Sequence, residues 1–238
     1  MLLLLACTKT PVDSGDSVPP YENFTPEGAE VLTLTTRDEV SIEADYWAAS
    51  STDRPLVVLV HMDPSGSANR TNWDGNYIQL LIDSDWSVVV PDRRGAGGSG
   101  GTASDAFETV KGSYDLEVCV NHVPEAASLH IVAASNGTTS MIDYAALAST
   151  EGWPAPATLQ FVSAVRSTTN NHEISDVPAT PALFSFPKNE ADNNLPWQEA
   201  NPGDWEFSEY DPGDHGTRMF QNTPELPADL HAWLDSQM

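Results

Sequence analysis

Apolar and polar residues alternate through VLTLTT (31–36) and again through VSIEADYW (40–47). A period of two is that of a half-buried strand, so these stretches predict an antiparallel pair joined by residues 37–39. The pattern then changes. LVVLVH (56–61), WSVVVPD (86–92) and LHIVAA (129–134) are nearly unbroken apolar runs rich in β-branched residues. Such runs predict strands buried on both faces. TLQFVSAV (158–165), PALFSF (181–186) and WEFSEY (205–210) predict three more strands. Between them, WDGNYIQLLIDS (73–84), residues 104–123 and the Ala-rich stretch 137–149 have helical character. PELPADLHAWLDSQ (224–237) predicts a closing helix, with Leu226, Leu230, Trp233 and Leu234 on one stripe.

Strands alternating with helices predict an α/β fold: a doubly wound, mainly parallel sheet of about eight strands with helices on both faces. Reactive groups in such sheets collect at the carboxyl ends of the strands. Three positions stand there. Ser135 follows the strand 129–134 directly, Glu190 and Asp192 lie just past 181–186, and His215 lies past 205–210. A serine hydroxyl is a weak nucleophile that needs an adjacent base. Histidine suits that role because its pKa lies near neutrality. A carboxylate fixes the histidine tautomer and stabilises the imidazolium. A serine on a sharp strand-to-helix turn needs small neighbours two places before and after it, and Ala133 and Gly137 supply them.

With these residues in place, roughly residues 30–238 resemble the α/β-hydrolase superfamily, and within it the compact, dienelactone-hydrolase-like branch. VVLVHMDPSGSANRTNW (57–73) is similar to that family's oxyanion segment, WSVVVPDRRGAGGSG (86–100) to its DxRGxGxS turn, and DPGDHGTRMF (211–220) to its catalytic His-Gly. The family's elbow usually has Gly where this chain has Ala133. The resemblance implies an oxyanion hole from the backbone N–H groups of Met62 and Asn136. It also implies an acid about four residues past its strand, which is Glu190. Asp192 is the commoner residue type in that role, so both stay candidates.

The remaining histidines have other readings. His61 lies at the oxyanion segment and reads as a buttress. His122 and His231 fall in predicted helices and His130 inside a strand, which suits packing or surface roles. His172 lies in a polar loop with no assigned role. GAGGSG (95–100) matches the dinucleotide fingerprint in form, but it follows the fourth strand, and the pattern around Asp115 and Glu117 is helical rather than a strand tip carrying a ribose-binding acid. No His, Cys or Asp cluster has metal-ligand spacing, so neither a metal nor an organic cofactor is expected.

Of 238 residues, 35 are acidic and 10 basic, a net charge of −25. That surface repels phosphate backbones and anionic membranes, which argues against nucleic acid as a partner. The chain opens MLLLLACTKT, and Leu-Leu-Ala-Cys resembles a bacterial lipobox, although no basic region precedes the short leucine run. The resemblance implies a lipoprotein signal remnant at 1–7, a lipid on Cys7, and a location in the bacterial cell envelope. Residues 8–29, rich in Pro, Ser, Gly and acids, read as a disordered spacer, with the hydrolase domain at 30–238. Cys119 reads as a small buried helix residue.

The sequence thus predicts a serine hydrolase acting on a carboxylic ester or related acyl bond of a small molecule, without a large lid. The competing readings are a non-catalytic envelope lipoprotein on the same fold and, further off, a dinucleotide-dependent oxidoreductase. Membrane contact is expected through Cys7 alone, and the oligomeric state is left open.

Overall fold

A computed structural model describes residues 24–63, 68–164 and 171–238. The alternating stretches form β1 (Glu30–Thr35) and β2 (Ser41–Trp47), paired antiparallel with Glu30 opposite Tyr46 and Thr35 opposite Ser41. The apolar runs form β3 (Leu56–Val60), β4 (Ser87–Pro91) and β5 (Leu129–Ala134), and every residue of the three is buried. Each fully buried Val or Leu contributes roughly 1.5–3 kcal/mol over its exposed state. β6 (Thr158–Val162), β7 (Ala182–Pro187) and β8 (Trp205–Tyr210) complete one sheet of eight strands in the order β1-β2-β4-β3-β5-β6-β7-β8. From β4 through β8 every pairing is parallel.

Apolar cores lie on both faces. One gathers Ile131, Ala133 and Phe184 with residues of α3 (Gly112–Asn121) and α4 (Gly137–Glu151). The other gathers Val57, Leu59, Val88 and Val90 with α1 (Gly75–Asp83) and α6 (Leu226–Ser236). Asp74 caps α1, its side chain accepting the Tyr77 N–H at 2.8 Å. Such a cap is worth about 1 kcal/mol.

The structure differs from the sequence reading at two helices. The single helix expected over 104–123 is two, α2 (Ala103–Phe107) and α3. The second helix starts at a close approach that only glycine permits: a Cβ on Gly112 would lie 2.3 Å from both the Ala106 carbonyl and Ser140 Oγ. Between the strands expected at 181–186 and 205–210, where the pattern gives no helix, the chain forms α5 (Ala191–Ala200), despite Pro196 and a polar sequence. Trp197 holds it down, with ring centroids 5.1 Å from Phe184 and 5.8 Å from Phe161.

Cys119 is buried in α3, and burial pushes its thiol pKa far up. Cys7 and the rest of residues 1–23 lie outside the described residues. Residues 26 and 27, part of the stretch read as spacer, already touch the domain: both carbonyls accept the Trp47 indole N–H at 3.3 Å. No helix among the described residues is long and apolar enough to cross a membrane.

Candidate active site

Four parallel strands, β5 to β8, carry the site at their carboxyl ends. Register sets its rows: Ala134 pairs with Val162, Val162 with Ser185, and Ser185 with Ser208. The next residue along β5 is Ser135, whose N–H reaches Val162 O at 2.9 Å. Ser135 then turns into α4 with φ +49°, a left-handed conformation that few side chains adopt. The turn is tight on its far side too. A Cβ on Gly137 would lie 2.6 Å from the His61 carbonyl and 2.8 Å from that of Val60, so only glycine lets α4 begin against the end of β3.

Ser135 Oγ lies 2.6 Å from Nε2 of His215. On the other edge of the ring, Nδ1 lies 2.6 Å from Oε1 of Glu190. A carboxylate only accepts, so Nδ1 carries the proton and Nε2 is free to accept from the serine hydroxyl. Burial would raise the Glu190 pKa, but hydrogen bonds from His215 and Ser163 outweigh it and hold the carboxyl below its ordinary value. Asp214 braces the histidine from behind, its Oδ1 accepting the His215 backbone N–H at 2.6 Å while lying 3.4 Å from Arg218 Nε.

Asp192, the alternative acid, is exposed in the first turn of α5, while both edges of the His215 ring are occupied by Ser135, Glu190 and Ser163. Met62 follows β3 and faces the same centre. A Cβ on Gly216, beside His215, would lie 2.8 Å from Met62 Sδ and 3.3 Å from Ser135 Cβ. Asn136 is the next residue after the serine and sits at the N-cap of α4.

No protein-family model matches the sequence, and no curated protein sequence matches it. Solved structures do. An esterase from Pyrococcus furiosus aligns with a TM-score of 0.65 at 15% identity, covering 92% of this chain and 98% of that one. A serine hydrolase without a lid from Xanthomonas campestris gives 0.63 at 16%, over 90% of this chain and 95% of that one. An esterase from a Rhodococcus species gives 0.68 at 12%, over 87% and 99%. The chain has the α/β-hydrolase fold.

Within that fold, two residues with no place in the sequence reading join the site. Arg93, buried just past β4, donates from Nη1 to Asn136 Oδ1 at 2.9 Å and to the Met62 carbonyl at 3.4 Å. Its Nη2 donates to the Ala106 carbonyl and to Ser140 Oγ. One guanidinium thus ties together both candidate oxyanion residues. Burial lowers its pKa to about 10, still cationic at neutral pH. The Arg93 backbone N–H donates to His61 Nε2 at 2.9 Å, and His61 Nδ1–H donates to the Met62 carbonyl at 2.8 Å. His61 is therefore held neutral as a brace, with burial pushing its pKa down to about 3. Ser163 is the second addition. It follows β6, also has φ +49°, and places its hydroxyl 2.8 Å from His215 Nδ1 and 2.6 Å from Glu190 Oε2. The sequence pattern runs this strand on to residue 165, which puts Ser163 inside it, whereas β6 ends at Val162 and leaves Ser163 at the tip.

The glycine loop 95–100 wraps a carboxylate. Asp92 Oδ2 accepts the Gly98 N–H at 2.9 Å, Gly95 N–H is bonded to the Gly100 carbonyl, and Gly100 N–H to that of Ser41. These amides are thus committed to the protein's own acceptors. His172 Nδ1 lies 2.8 Å from the buried Asp143 of α4, pinning the chain after β6. No cluster of His, Cys, Asp and Glu that could hold a metal ion occurs among the described residues.

Proposed function

We propose that this protein is a serine hydrolase that cleaves the carboxylic ester, or a related acyl bond, of a small substrate through an acyl-enzyme. The observation that carries the reading is the relay from Ser135 Oγ to His215 Nε2 and from Nδ1 to Glu190, with 2.6 Å at each step. Esterases and a lidless serine hydrolase among the structural neighbours support the same class.

The chemistry follows from that relay. Ser135 Oγ attacks the carbonyl carbon as its proton passes to Nε2, and the carbonyl π electrons move onto oxygen. The N–H groups of Met62 and Asn136 would stabilise that oxyanion, with Arg93 and His61 fixing the two backbones. The tetrahedral intermediate collapses, the C–O bond to the alcohol breaks, and the imidazolium gives its proton to the leaving oxygen. Water then attacks the acyl-serine with His215 as base, releasing the acid and restoring the hydroxyl. A fluorophosphonate probe tests this: it should label the wild type at Ser135 and leave Ser135→Ala unlabelled. Unlabelled wild-type protein that also spares p-nitrophenyl acetate would refute the reading.

The lipobox-like MLLLLACTKT supports anchoring to the bacterial envelope through a lipidated Cys7. Acyl chains bury about 0.8 kcal/mol per CH₂, and more than one chain gives stable attachment. Expressed behind a complete lipoprotein leader supplied by the host vector, the protein should fractionate with membranes and Cys7→Ser should not. Equal recovery of both forms in the soluble fraction would rule the anchor out.

A further inference from the structure

We propose that Ser163 is a positioning residue of the catalytic relay, a fourth member that locks the Glu190 carboxylate and the His215 ring into one plane of contact. The inference rests on the reading of Ser135 and His215 as nucleophile and base.

The geometry is a closed ring of three hydrogen-bonding groups. Glu190 Oε1 accepts from His215 Nδ1 at 2.6 Å, and Glu190 Oε2 accepts from Ser163 Oγ at 2.6 Å. The lone pairs of the same Oγ lie 2.8 Å from Nδ1, so the imidazole N–H is shared between carboxylate and hydroxyl. With both oxygens engaged, the Glu190 carboxylate cannot turn about its last bond without breaking one contact. The ring cannot tilt away from Ser135 without leaving two acceptors.

The backbone points the same way. Ser163 is fully buried with φ +49°, and its N–H is already bonded to the Ser185 carbonyl at 2.7 Å. A non-glycine residue in that conformation costs on the order of 1 kcal/mol or more, which glycine would avoid. Folding alone would therefore be served as well by glycine. What glycine lacks is the hydroxyl, and the hydroxyl meets the two residues behind the nucleophile. When the Ser135 proton reaches Nε2, positive charge appears on the ring, and its Nδ1–H faces an acceptor pair instead of a single oxygen. The other charged groups near this ring are Asp214, on the His215 backbone, and Arg218 beside it. Neither is bonded to Glu190, so Ser163 is the contact that fixes the acid.

Ser163→Gly and Ser163→Ala separate this role from a structural one. A buried hydrogen bond to a charged group supports the expectation of a fall of about tenfold or more in kcat for p-nitrophenyl acetate. KM should stay within about twofold, because Ser163 is fully buried on the Nδ1 edge of the ring, opposite Ser135. Ser163→Gly should stay folded and melt a few degrees lower at most, since relief of the left-handed strain offsets the added chain freedom and part of the lost hydrogen bond to Glu190. The far-downfield proton resonance of His215 Nδ1–H should move in both variants and disappear in His215→Gln, which assigns it. A folded Ser163→Gly protein with wild-type kcat overturns the proposal, and so does a fall in kcat with an unmoved resonance. The resonance needs no turnover. If the wild type proves not to be a hydrolase, a moved signal still upholds the Ser163 contact and an unmoved one refutes it.

Discussion

Ser135 and Ser163 share one backbone conformation, φ +49°, at the tips of two adjacent parallel strands, and both hydroxyls converge on the ring of His215. Ser135 presents Oγ to Nε2 and Ser163 presents Oγ to Nδ1, on opposite edges of the ring. Strained residues of this kind cost of order 1–3 kcal/mol and persist where the surroundings over-determine them.

Removing the strain at Ser135 should separate stability from activity. Ser135→Gly relaxes the left-handed turn but adds backbone freedom to the unfolded chain, an opposing effect of about 0.5–1 kcal/mol. The two nearly cancel, so the variant should melt close to the wild type. Its turnover should fall by several orders of magnitude, because the attacking oxygen is gone. Thermal melting and p-nitrophenyl acetate hydrolysis, measured on the same preparation, check both halves.

The acid is assigned by comparing two single variants. Glu190→Gln keeps the shape but replaces an acceptor by a group that can turn its NH₂ toward Nδ1 and hold the wrong tautomer. Loss of the orienting carboxylate in a Ser-His-Asp triad lowers kcat about 10⁴-fold, and a fall of that order is expected here. Asp192→Asn, on an exposed turn, should turn over within about twofold of wild type. A crippled Asp192→Asn beside an active Glu190→Gln would reverse the assignment.

Most of this site was legible from position rather than from residue type. The unbroken runs at 56–61, 86–92 and 129–134 located the parallel strands, and the residues at their ends followed from the topology. Ser135, His215 and Glu190 come together as that logic requires. Glu190 and Asp192 could not be separated on sequence because a difference of two residues decides which one faces the histidine. That depends on the short 3₁₀ turn at Lys188–Glu190, which no pattern announced. Arg93 lay unread inside a glycine-rich motif, since its role depends on which carbonyls its guanidinium meets. α5 escaped because its helix is held by one tertiary contact, Trp197 against Phe184, instead of by an apolar stripe.

Acid should loosen the fold through buried histidines. His130 is fully buried between Ser128 Oγ and Thr158 Oγ1, each at 2.8 Å, and burial lowers its pKa to about 4. The folded form therefore stays neutral where the unfolded chain, with an ordinary value near 6.5, takes a proton. A depressed folded value gives stability that is present above about pH 6.5 and is lost as pH falls toward 4. Between pH 7 and pH 5 the loss amounts to about 2 kcal/mol. Asp45, Asp115 and Asp143 act in the opposite sense, since burial raises them and the folded form holds their protons longer. A difference measurement isolates the histidine. In urea unfolding at high salt, wild type should lose about 2 kcal/mol more than His130→Gln between pH 7 and pH 5. Parallel curves for the two proteins would show that His130 does not titrate on unfolding.

The shape and charge around Ser135 bear on which esters it would take. Lipases for long chains cover an apolar groove with an inserted helical segment. The connection from β6 to β7 is polar and pinned by His172 on Asp143, and the one from β7 to β8 is α5, held against the sheet by Trp197. Neither forms an apolar cover among the described residues. Without an apolar cover, each added methylene gains little buried surface, which is worth about 0.8 kcal/mol where it is buried. Acetyl and butyryl p-nitrophenyl esters should therefore be cleaved much faster than the palmitoyl ester, with no activation at a lipid–water interface. The net charge of −25 should act on top of size. A negatively charged ester of the same length should show a lower kcat/KM at low salt, and the gap should narrow as salt shortens the reach of the field from about 30 Å at 0.01 M to about 8 Å at 0.15 M. A preference for palmitate with interfacial activation would contradict the lidless site, whereas a salt-independent gap would place the charge discrimination in direct contacts at the strand tips.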